Sequence, residues 1–192
     1  MNYKALFQRI LRLLSAPGKE WQDILTEDKR TVMSAFVYPL IGLCGLAVFL
    51  GTLMEGSGEA SGYLVFQRAM TTCCAQCVSL FGGYFLAAYG LNQLATRFFN
   101  QPNNPPLMQQ LAGYALVVTF VLHFATALLP EFALLSWIFQ FYTIYIVWEG
   151  VQALLHLDEK QQMPFTLAAS LLLLACPAFI GWIFNHMTTL LN

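Results

Sequence analysis

Polar and apolar positions in this chain segregate into long blocks. Charged residues fall in clusters, and the stretches between them carry none: Thr31 to Met54, Ala69 to Thr96, Phe98 to Pro130 and Gln161 to Asn192. Phe132 to Trp148 is shorter, but its apolar pattern runs on past Glu149 to Leu155. A helix needs about 20 apolar residues to cross the hydrocarbon core of a bilayer. The blocks therefore predict spans near 32–54, 70–96, 108–129, 132–154 and 164–187. Lipid offers backbone groups no hydrogen-bond partner, so each span is expected to be helical. The runs are too long for the strands of a membrane barrel and lack their alternation. The expected fold class is all-α: a polytopic membrane bundle of five transmembrane helices with an N-terminal amphipathic interfacial helix. Residues 1–30 form the cytosolic or interfacial segment and residues 31–192 the transmembrane domain.

Helix breakers mark the loops. Glu55 to Gly62 is a polar, glycine-rich link, and Asn100 to Pro106 holds three prolines, which lack an N–H and restrict their neighbours. Pro130-Glu131 leaves room only for a tight turn, so the third and fourth spans are expected to be antiparallel neighbours. His156 to Pro164 links the last two spans, with Pro164 suited to a first helical turn. Ahead of the first span, Tyr3, Leu6, Phe7, Ile10, Leu13 and Leu14 share a face at helical spacing. Lys4, Gln8, Arg9 and Arg12 lie opposite, giving the basic polar face expected of a helix that rests on an anionic leaflet; the bland alternative is a helix packed on the cytosolic ends of the bundle. Pro17-Gly18 ends it, and Trp21, Ile24, Leu25 and Asp28 suggest a second short helix with Trp21 as an interfacial anchor.

Composition and charge sharpen this picture. Hydrophobic residues make up 58% of the chain and charged residues 10%, against about 25% charged in a soluble domain. The net charge of −1 excludes a generally basic nucleic-acid-binding surface. The charged segment before Thr31 is too long for the n-region of a signal peptide, so no cleavable signal is expected. Lys4, Arg9, Arg12, Lys19, Lys29 and Arg30 precede the first span, and Arg97 and Lys160 fall in loops on the same side. Arg68 alone lies on the other side, beside Glu55, Glu59 and Glu131. This asymmetry puts the N-terminus in the cytoplasm and, with five spans, the C-terminus outside.

Several segments together resemble the Yip (Ypt-interacting protein) family in its bacterial members. Pro17, Trp21 and Ile24 in SAPGKEWQDI carry the resemblance first. It continues through FVYPLIGL with Pro39, LAGYALV with Gly113-Tyr114, and the aromatic segment YTIYIVWEGVQALL. The resemblance implies a five-span protein of the bacterial cytoplasmic membrane with an amphipathic start and its N-terminus inside, and it implies no particular biochemical activity. Eukaryotic members are associated with Rab-type GTPases. Residues 3–30 offer little surface for a GTPase, and no proline follows Gly113-Tyr114, where Ala115-Leu116-Val117-Val118 stand instead. GTPase binding is therefore not expected here.

Candidate chemistry rests on polar groups within the spans, which are costly there and often functional. Glu149 stands out. Tyr114 is 16 positions before Pro130 and Glu149 is 19 after it, so the two should differ in depth by about 4–5 Å. They are expected to join one inner-leaflet polar cluster, with Tyr38, Tyr89 and Asn92 at similar depth; the bland alternative is a headgroup-level glutamate reaching water. His123 lies nearer the outer end of the third span. Cys73, Cys74 and Cys77 enter the second span, and Cys74 and Cys77 form C-x-x-C. That spacing suggests redox or metal chemistry, but no second ligand pair lies nearby and packing is the simpler reading. Gly42, Gly45, Gly82, Gly83 and Ala87 permit close helix contact, and Pro177 is expected to kink the last span.

No phosphate loop, nucleophile elbow or H-E-x-x-H motif is present. The expected function is non-enzymatic membrane organisation or scaffolding, without cofactor or metal. Its expected partners are the lipid bilayer, membrane proteins or further copies of the chain, and no nucleic acid. A small transporter, channel or lipid-handling protein with a polar path near Glu149 is the competing reading.

Overall fold

The structure, a computed structural model, describes residues 3–26, 31–56, 61–155 and 157–191, with side chains as far as Met187. Lys29 and Arg30 of the basic cluster, Asp28 of the second short helix, Ser57 to Ala60 of the first link and His156 lie outside the described residues. All described regular structure is helical. Helices α1 (Tyr3–Ser15) and α2 (Pro17–Leu25) form an N-terminal hairpin. A π-helical turn, Met33–Val37, leads into α3 (Tyr38–Glu55), followed by α4 (Gly62–Phe98). Helices α5 (Pro105–Ala115) and α6 (Val117–Leu128) make one span with a local break at Leu116. A 3₁₀ turn at Pro130–Phe132 joins them to α7 (Ala133–Gln140), α8 (Tyr142–Leu154) and α9 (Glu159–Leu191).

Four stretches are long and apolar enough to cross a membrane: Met33–Glu55, Gly62–Phe98, Pro105–Leu128 and Glu159–Met187. Helices α7 and α8 make a fifth if counted as one span, but they meet at a 41° bend. The sequence reading of a single helix over 132–154 is corrected in this respect. The cause lies in unequal anchoring. Helix α8 buries Thr143, Ile146, Val147, Gly150, Val151 and Leu154, whereas α7 buries no residue. Only one half of the span is drawn onto the bundle. Helix α4 starts eight residues before the expected boundary and runs for 37 residues, about 55 Å at the α-helical rise. Helix α9 runs through Pro164 and Pro177 without interruption.

Proline chemistry explains the π turn. Pro39 has no N–H to offer the Ala35 carbonyl, and the turn ahead of it widens so that the Tyr38 N–H reaches the Met33 carbonyl. The core is built on α4, which packs chiefly against α9 and α3. Contact with α9 is close at Gly83, where a Cβ would lie 2.5 Å from Pro177 Cα; only glycine lets the two backbones approach this far. Tyr84, Leu91, Leu111, Phe120 and Phe165 fill the interior.

Candidate functional site

Helix α2 opens at Pro17, whose fixed φ suits the first turn of a helix. Its inward face is Pro17, Glu20, Trp21 and Ile24, all buried. Three of these are apolar, and the fourth is a carboxylate only 2% exposed. A buried charge is costly unless paired. Helix α1 supplies the partners from adjacent turns: Arg9 Nε lies 3.0 Å from Glu20 Oε1 and Arg12 Nε 3.1 Å from Oε2. Arg9 also donates through Nη1 to the Tyr114 hydroxyl at 3.0 Å. A chain of polar contacts thus runs from α2 through α1 into α5.

Trp21 completes the docking. Its ring stands edge-on to Tyr114 with centroids 6.0 Å apart, and its Nε1 donates to the Ile146 carbonyl at 3.0 Å. Gly150 makes room for it, since a Cβ there would lie 2.7 Å from the indole. Two more bonds hold the hairpin's backbone. Tyr142 donates its hydroxyl to the Leu14 carbonyl at 2.8 Å, and Gln110 Nε2 donates to the Ile24 carbonyl at 3.0 Å. The hairpin is therefore seated on one end of the bundle by both charge and packing.

This seating changes several expectations. The apolar side of α1 divides: Leu6, Ile10 and Leu13 are buried, while Tyr3, Phe7 and Leu11 remain exposed. Arg9 and Arg12 do not form an open basic face with Lys4. They turn to Glu20 because an unpaired carboxylate could not stay buried there, whereas Lys4 is exposed. The Tyr114 hydroxyl, expected to meet Glu149, accepts from Arg9. The depth argument holds, for a Cβ at Gly150 would touch Leu111 at 2.9 Å. The rotation differs: Gly150 faces α5, and Glu149, half-buried, has its carboxylate against Gly18 of α2.

The remaining candidates scatter. Tyr38 stacks on Phe81 at 5.5 Å and is 43% exposed, and Tyr89 is exposed outright. Asn92 is buried and organises the proline loop. Its Nδ2 donates to Asn103 Oδ1 at 2.8 Å, and its Oδ1 accepts from the Asn104 backbone N–H at 3.2 Å. Asn104 in turn accepts from the Leu107 N–H and caps α5. Cys73 and Cys77 flank Gly45 of α3, and Cys74 is exposed. His123 lines a groove between α4, α6, α7 and α9. Among the described residues no three His, Cys, Asp or Glu side chains converge as a metal site would require.

Glu20 is the residue that sequence reading missed. Its signal was present: a carboxylate at the i+3 position of an otherwise apolar stripe headed by Pro17. An acid on a buried face announces a cation on the facing element.

A model of the Yip1 domain matches residues 11–184. The chain belongs to the Yip1 family. The match begins within α1 and ends within α9, so the Yip1 unit takes in α2 with Glu20 and Trp21 as well as the spans. No curated protein and no solved structure matches the chain. Yip1 membership and the apolar helices together make this an integral, multi-pass membrane protein.

Proposed function

We propose that this Yip1-family protein is a non-enzymatic membrane organiser, which holds an amphipathic wedge rigidly at one leaflet and offers its bundle to partner membrane proteins or further copies of itself. One observation carries the reading: α1 is fastened along Leu6, Ile10 and Leu13 while Tyr3, Phe7 and Leu11 form an exposed apolar row on its flank. An apolar row on an interfacial helix enters the boundary between headgroups and acyl chains. Fastened to spanning helices, it adds area to one leaflet at a fixed position. The basic asymmetry of the loops supports a cytoplasmic position for that leaflet, with the C-terminus outside, and the resemblance to bacterial members supports the cytoplasmic membrane.

The test is reconstitution of the full chain into liposomes of defined lipid composition. Rising protein density should produce smaller or tubular vesicles in electron micrographs. Phe7→Ser with Leu11→Ser removes the exposed row and leaves the buried edge intact. Remodelling should fall to the level of protein-free liposomes while thermal stability in detergent stays unchanged. Equal remodelling by this variant would sink the reading. Orientation is tested separately by labelling single cysteines on a cysteine-free background; a label reaching Asn103 only from outside would reverse it.

A further inference from the structure

From Thr119 and Phe141, beside the Tyr142 that bonds the hairpin, to Trp137 and Trp182, α4, α6, α7 and α9 enclose a groove of about 680 Å³. One wall is α7, which meets α8 at a 41° bend and buries no residue. Its size falls in the range of roughly 300–1,000 Å³ typical of small-molecule sites. The lining is unusual for this depth. Gln76, Ser79, Thr119, His123 and Gln140 all contribute to it, yet among the described residues no Asp, Glu, Lys or Arg does.

Part of this polarity is satisfied internally. Ser79 donates to the Pro177 carbonyl at 2.7 Å, and Gln140 Nε2 donates to Thr119 Oγ1 at 2.9 Å. Part is not. Gln76 Nε2 is buried and has no hydrogen-bond partner. The buried amide belongs to a membrane-spanning helix, where an unmet donor is costly. His123 and the Oε1 of Gln140 add further hydrogen-bonding capacity to the same wall.

Trp137 of α7 and Trp182 of α9 line the groove and are 77% and 64% exposed. Indole rings of this kind sit at the headgroup level of a bilayer. A ligand entering past them comes from the lipid phase. We propose that the groove binds a neutral lipid of the diacylglycerol class. Its ester carbonyls accept from the Gln76 amide and the His123 N–H, its hydroxyl donates to Gln140 Oε1, and its chains leave between the two tryptophans. A charged headgroup finds no counter-ion in the lining and is excluded on that ground. This inference is independent of the wedge reading, which concerns the exposed flank of α1.

The experiment uses the full chain in nanodiscs, a diazirine-bearing diacylglycerol as probe, and peptide mass spectrometry to map adducts. Adducts are expected in segments 133–140 and 174–185. Unlabelled diacylglycerol should suppress them, and phosphatidylglycerol at the same mole fraction should not. Gln76→Leu with His123→Leu should lower labelling about tenfold, as expected for the loss of two hydrogen bonds. Ala178→Phe fills the groove from an exposed position on α9. It should block labelling with circular dichroism unchanged, so the proposal stays testable if the double variant misfolds. Adducts spread evenly over the lipid-facing helices would overturn the proposal, as would equal competition by phosphatidylglycerol or wild-type labelling of Ala178→Phe.

Discussion

The two ends of the bundle solve the problem of polar groups in an apolar setting in opposite ways. At the hairpin end a carboxylate is buried almost completely, and two arginines and a tyrosine close around it. Trp21, Tyr142 and Gln110 then tie the hairpin to α8 and α5. At the far end α7 buries nothing, and the Gln76 amide across the groove from it has no partner. The first end is a closed junction whose polar groups answer one another. The second is a half-built one, missing whatever answers Gln76. Order follows from the difference, because a segment with few buried contacts opens at low free-energy cost.

Breaking the closed end should produce the largest effects. Trp21→Ala empties the space between Tyr114 and Gly150 and should cost about 3–5 kcal/mol, the range for large aromatic truncations in cores. Thermal unfolding in detergent checks this, and a loss below about 1 kcal/mol would mean that the hairpin is not seated as described. Gly150→Val attacks the same contact from α8. With a Cβ only 2.7 Å from the indole, overpacking should cost about 1–3 kcal/mol and expose the hairpin to limited proteolysis.

The polar chain is the next test. Arg9→Leu leaves Glu20 with Arg12 alone, whose side chain is 54% exposed, and should cost about 1–3 kcal/mol. A double-mutant cycle of Arg9→Leu with Tyr114→Phe should give a coupling of about 0.5 kcal/mol or more; strict additivity would show that Arg9 and Tyr114 act apart. The smallest effect is expected at the open end. Leu134→Ala in α7, at a position 83% exposed, should change stability by no more than about 0.5 kcal/mol. Amides of α7 should exchange with deuterium faster than those of α8, and equal protection would erase the contrast between the two ends.

Spans were legible in the sequence because lipid excludes charge over a length of about 20 residues, and water-facing segments rarely go that far without a charged side chain. Depth was legible too. Counting from Pro130 correctly set the Leu111–Tyr114 turn level with Glu149 and Gly150. Rotation was not, because neighbouring positions on a helix differ by a large angle and nothing in a single span's composition says which one faces a given neighbour. Gly150, the smaller residue, takes the crowded side, and Glu149 turns to Gly18. The bend at Phe141 was hidden for a related reason. Residues 132–154 are apolar throughout, apart from Glu149 and a few uncharged polar positions. What separates α7 from α8 is only which half finds partners. Glu20 was readable in principle, since α2's stripe contains it, but short helices invite attention to their apolar residues alone.

The bonds that seat the hairpin have a consequence for biosynthesis. They join residues separated by 86 to 128 positions, from Gln110–Ile24 to Tyr142–Leu14. The hairpin leaves the ribosome before its partners, and Tyr142 and the Ile146 carbonyl leave long after it. Throughout that interval Glu20 and Trp21 lack the surfaces that bury them in the finished bundle. Closure of the junction therefore cannot precede insertion of α8. A nascent chain arrested before Tyr142 carries an undocked hairpin, accessible to proteases and chaperones, so the same contacts that stabilise the finished protein also mark the point at which its synthesis is complete enough to close.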